Sequence, residues 1–95
     1  MAAYVITVIE VTDPEGFGRY REMVVGTIDP FGGRYIARGG AITTLEGDWN
    51  PERVVIAEFP SAEQARAWWD SPAYAAAKAQ RQESSRTQMI IVEGV

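Results

Sequence analysis

The chain has 95 residues, 46% of them hydrophobic and 23% charged, with a net charge of −4. That describes one globular domain, residues 1–95, whose own core is thin, because a chain of this size hides only about two-thirds of its unfolded surface. With no Cys and no His, disulfides, thiolate nucleophiles, Cys-based zinc sites and Fe–S clusters are excluded, the commonest general base is missing, and the acidic balance argues against a nucleic-acid grip.

Residues 3–11, AYVITVIEV, are β-branched or aromatic over most of their length. Val5, Ile9 and Val11 fall on one face, and Tyr4, Ile6 and Val8 on the other. A strand apolar on both faces is buried on both. Asp13-Pro14-Glu15 starts a helix: Asp13 can accept from free N–H groups, and proline fits the first turn. Phe17, Tyr20, Val24 and Ile28 recur at helical spacing up to Pro30, which kinks or ends the helix, and Gly32-Gly33 closes the turn.

Residues 34–46 read as one long strand, with Gly39-Gly40 as a mid-strand bulge or bend. Residues 47–51 form a loop carrying Trp49. Residues 53–59, RVVIAEF, complete a hairpin and are again apolar on both faces. Pro60 stops that strand. Ser61-Ala62-Glu63-Gln64 is a capping box opening a helix with Ala65, Trp68 and Trp69 on its apolar face. Ser71-Pro72 restarts a helix that ends among residues 81–85, where Arg81 reads as part of a solvated face. Residues 86–93 are the last strand.

The order strand, helix, strand, strand, helix, strand predicts an α+β, ferredoxin-like βαββαβ fold: a four-stranded antiparallel sheet with its helices on one face. The first and third strands are expected side by side and parallel in the middle. Two helices cannot cover both faces of strands that are apolar on both. The bare face predicts a homodimer stacked sheet to sheet. No apolar stretch approaches the ~20 residues needed to span a bilayer, and Met1-Ala2-Ala3-Tyr4 lacks the start of a signal peptide. The expectation is a cytoplasmic protein with neither membrane nor nucleic-acid partner.

Several stretches carry a family resemblance: Glu10-Val11-Thr12-Asp13-Pro14, Gly32-Gly33-Arg34-Tyr35, Arg38-Gly39-Gly40, Leu45-Glu46-Gly47, Glu58-Phe59-Pro60-Ser61, Asp70-Ser71-Pro72-Ala73-Tyr74 and Val92-Glu93-Gly94. Together they cover nearly the whole chain, which resembles the domain of unknown function 1330 family of the dimeric α/β-barrel superfamily. The resemblance implies a ferredoxin-like fold and a sheet-to-sheet homodimer, and it implies no activity. Related branches include cofactorless monooxygenases, isomerases, dehalogenase-like enzymes and haem-handling proteins. The absence of His sets this chain apart from the His-dependent ones.

With parallel first and third strands, Glu10 and Glu58 end side by side, with Arg34, Arg86 and Asp13 at the same rim. A carboxylate there, Glu58 with Glu10 or Asp13, is the acid/base candidate once burial or a like charge raises its pKa. Tyr20 is a hydrogen-bond donor. Arg34 and Arg38, four apart and so on one face, are the binders of a small anionic ligand, with Gly39 and Gly40 allowing its close approach. The competing reading is a structural ion-pair network. No metal site is indicated and no cofactor is expected. Two functions stay open: an enzyme acting on a small organic acid or aromatic metabolite, and a non-catalytic ligand-binding or structural dimer. An enclosed cavity of a few hundred Å³ holding Arg34, Glu58 and Tyr20 would favour an enzyme or a binder, whereas these side chains paired with one another and no cavity would favour a structural module.

Overall fold

Four β-branched stretches become four strands. The computed structural model describes residues 1–95. It places β1 at Ala3–Val11, β2 at Arg34–Arg38, β3 at Arg53–Phe59 and β4 at Ser85–Glu93, in one sheet ordered β2-β3-β1-β4. Three helices, α1 (Pro14–Met23), α2 (Ala62–Trp69) and α3 (Pro72–Ser84), complete a ferredoxin-like chain whose second helical crossover is split in two, βαββααβ.

Every neighbouring pair of strands is antiparallel. The expected parallel pairing of the first and third strands is therefore corrected: Tyr4 faces Glu58, and Ile9 faces Arg53. In a split βαβ unit the two parallel strands are one strand apart, and the strand between them runs the other way.

The second strand is shorter than its β-prone sequence suggests. It stops at Arg38 because Gly39 turns the chain at φ +71°. Gly39 N–H donates to Val54 O at 3.1 Å. The connection back to β3 is tied down at its far end, where Glu52 Oε2 accepts from Val11 N–H at 2.7 Å. The β-bulge lies between Tyr35 and Ala37, not at Gly39-Gly40.

The first helix ends at Met23, and Val24, its C-cap, and Ile28 beyond it still deliver their side chains to the core. There Thr27 Oγ1 donates to Val24 O at 2.8 Å, occupying a carbonyl that a continuing helix would use. Ser61 and Ser71 cap the later helices by accepting from Gln64 N–H and Tyr74 N–H, each at 3.2 Å. Asp13 holds the N-cap position of α1 without a side-chain cap bond, so its expected capping role is not fulfilled.

The sheet divides the molecule. On the helix side Ala3, Val5, Thr7 and Ile9 of β1 and Ala57 and Phe59 of β3 are buried. Phe59, Trp68 and Tyr74 stack there, with ring centroids 5.7 and 4.1 Å apart in successive pairs. The other side has no helix. Register puts Tyr4, Ile6 and Val8 beside Val92, Ile90, Ile56 and Val54 on that face, where Ile90 is 55% and Val92 42% exposed.

Candidate functional site

Between α1 and the sheet lies a pocket of about 40 Å³, lined mainly by apolar side chains including Val5, Ile9, Phe17, Val24 and Met89. Its polar groups come from four elements: Thr7 on β1, Tyr20 and Arg21 on α1, Tyr35 and Arg38 on β2, and Arg53 on β3. No Asp or Glu lines it. Three guanidinium groups therefore converge on an apolar slot without a carboxylate, and none of the three forms a salt bridge.

Arg53 is the focus. Its Nε is buried and has no hydrogen-bond partner. Burial first, and then the charges of Arg21 and Arg38, lower its pKa, while Tyr20 works in the opposite direction. Its guanidinium carbon lies 5.7 Å from the Phe17 ring centroid. A Cβ on Gly39 would collide with the Arg53 guanidinium, so glycine there meets both the left-handed backbone and the space this side chain needs.

The tyrosines are neutral donors. Tyr20 Oη lies 3.2 Å from Tyr74 Oη. Burial, followed by its neighbour Tyr74, pushes the Tyr20 phenol far above its ordinary pKa, with Arg81 pulling the other way. Tyr35 is also raised, chiefly by burial, and Arg38, whose guanidinium carbon sits 4.3 Å over the Tyr35 ring, opposes the shift.

Of the residues singled out in the sequence, this pocket gathers Tyr20 and Arg38, with Gly39 packed behind Arg53. Arg34 is elsewhere. The bulge in β2 shifts the alternation by one residue, so Arg34 pairs opposite Glu58 on the bare face while Arg38 pairs opposite Val55 on the helix face. The two arginines do not share a face. Arg34 Nε binds Glu58 Oε1 at 2.7 Å, and that hydrogen bond lowers the Glu58 pKa. Glu10 is at the opposite end of the sheet beside Arg86, 3.5 Å away. Antiparallel pairing thus separates the expected Glu10–Glu58 rim into two exposed ion pairs. Asp13 is exposed at the start of α1, and Gly40 sits in open space. No three Asp or Glu side chains come together as a metal site would require.

A sequence profile, "Domain of unknown function (DUF1330)", matches residues 2–95. The chain belongs to the DUF1330 family. No curated protein matches it by sequence. Solved structures with the same fold include a protein of unknown function from Rhodopseudomonas palustris, RPA0582, at 19% identity and TM-score 0.78, over 99% of this chain and 82% of that one. A dimeric ferredoxin-like protein of unknown function from Jannaschia sp. aligns at 14% identity and TM-score 0.68, over 99% and 100% of the two chains. SnoaB, a cofactor-independent oxygenase from Streptomyces nogalater, aligns at 9% identity and TM-score 0.63, over 99% and 93%. At these identities the likeness is one of fold.

In this DUF1330 chain the residue that sequence reasoning passed over is Arg53, and a signal for it exists. Arg53, Val55, Ala57 and Phe59 form one alternating set. The last two are core residues, so the first must point to the same side.

Proposed function

We propose that the DUF1330 chain is a homodimeric binding protein for a small organic anion, held in the pocket between α1 and the sheet. The observation that carries this reading is the buried Arg53 Nε–H without an acceptor, in a pocket with three guanidinium groups and no carboxylate. A buried donor left unpaired costs about 1–3 kcal/mol, and an oxyanion removes that cost.

Size narrows the ligand class. A buried water needs about 10–15 Å³ of this kind of space, so a slot of about 40 Å³ takes roughly three or four non-hydrogen atoms. Formate, acetate or bicarbonate fits that volume, whereas an aromatic acid requires α1 to move. The apolar lining suits the methyl group of acetate, and the Tyr20 and Tyr35 hydroxyls supply neutral donors.

The carboxylate acid/base alternative draws less support, because its candidates lie outside the pocket in exposed ion pairs. The dimer reading rests on the apolar bare face and on relatives described as dimeric. It assigns one face of the sheet to the second copy and the other to the ligand.

Thermal shift with formate, acetate, propionate and benzoate, against chloride at equal ionic strength, tests the binding reading. Saturable stabilisation by formate and acetate, and none by benzoate, is expected. Arg53→Met is expected to weaken that binding about 10- to 100-fold, as losing a charged hydrogen bond would. An identical response in wild type and Arg53→Met would refute the assignment.

A further inference from the structure

Arg81 is the one arginine that the fold buries, and it has no counter-charge. It lies on the face of α3 that also carries Tyr74 and Ala77, and it is 4% exposed. The three salt bridges of the chain are Arg34–Glu58, Arg66–Asp70 and Arg86–Glu10. Arg81 is in none of them. Its side chain makes one hydrogen bond, from Nε to Tyr74 Oη at 3.2 Å. A guanidinium has five N–H donors and cannot lose its charge, so its Nη donors have no partner within the protein.

That side chain borders a groove of about 480 Å³ between α2, α3 and β4, within the range of about 300–1,000 Å³ typical of small-ligand sites. Trp69, Met89 and Ile91 supply apolar wall, and Gln82 and Thr87 supply neutral polar groups. No Asp or Glu borders it, and Arg66 at its edge is paired with Asp70, which leaves Arg81 as the groove's uncompensated charge. Val5, Trp68 and Met89 border both this groove and the Arg53 pocket, so the two spaces adjoin.

We propose that this groove is a binding site for a monocarboxylate with an extended apolar body, its carboxylate on Arg81 and its chain along Trp69, Met89 and Ile91. The charge requires an anion, and the walls require an apolar tail longer than the Arg53 pocket can hold. The inference stands independently of the Arg53 site.

Octanoate is the probe and 1-octanol its uncharged control, with tryptophan fluorescence and calorimetry as readouts. Wild type should bind octanoate saturably below about 1 mM, a modest affinity for one ion pair and one apolar chain. Octanol should bind at least tenfold more weakly. Arg81→Lys keeps a positive charge but loses the planar fork, and a tenfold or greater loss is expected. Because Arg81 is buried, Ile91→Trp provides a second test: this partly exposed strand residue would fill the groove and abolish binding. Arg53→Met should leave octanoate affinity unchanged. Equal binding of octanoate and octanol, or full octanoate binding by Ile91→Trp, would overturn the proposal. So would the absence of saturable binding in wild type.

Discussion

Tyr20 holds its hydroxyl where ionisation is expensive. Burial raises its folded-state pKa above the ordinary value of 10.0. The unfolded chain therefore ionises first as the pH rises. The stability Tyr20 contributes is present below about pH 10 and is lost progressively above it. Urea unfolding across alkaline pH should show wild type losing stability more steeply than Tyr20→Phe. Parallel curves would contradict the burial of this phenol. Arg53 and Arg81 teach a related lesson. Each sits in phase with core residues: Arg53 with Val55 and Ala57 at strand period, Arg81 with Tyr74 and Ala77 at helical period. Periodicity thus contained the signal for both. Treating arginine as solvent-facing by default concealed it, because charge usually outweighs phase unless something binds the charge.

At the scale of elements, the caps and breakers of the later helices were legible in the sequence because they act locally, whereas the first helix lacks the expected Asp13 cap bond and ends at Met23, before Pro30. Ser61 and Ser71 mark their boundaries through bonds spanning three residues, and Pro60 and Pro72 through the N–H that each lacks. Ser71 does double duty, accepting from Tyr74 N–H and donating to Trp68 O at 2.7 Å. Ser71→Ala should cost about 1–2 kcal/mol in urea unfolding, as losing a helix cap typically does. A cost near zero would show that water replaces both bonds. Register was not legible, because it depends on partners distant in sequence. One extra residue between Tyr35 and Ala37 sends Arg34 and Arg38 to opposite faces. The direction of β1 against β3 likewise moves Glu10 and Glu58 from neighbours to opposite ends of the sheet. Both errors bore on the candidate site more than on the fold. A strand's pattern of burial survives reversal of its partner, whereas a cluster of charges does not.

For the whole molecule, the sheet is a partition with different duties on its two sides. The helix side buries Val5, Ile9 and Phe59 and holds the Arg53 pocket; the other side presents Ile6, Ile56 and Ile90 in one row across three strands. A contiguous apolar row of this kind marks a surface suited to a partner. Placing a charge in the middle of that row should split a dimer. Ile56→Asp is expected to sediment as a single chain where wild type sediments as two, with the helix-side pocket still able to bind acetate. A monomeric wild type at low micromolar concentration would contradict the dimer and leave the pocket reading intact. The pocket itself is tested most directly at the atom that lacks a partner. Nitrogen-15 NMR of the Arg53 Nε–H group during an acetate titration should show its resonance shift and saturate as the hydrogen bond forms. A resonance that stays fixed through a concentration series that shifts exposed arginines only in proportion to salt would contradict the account.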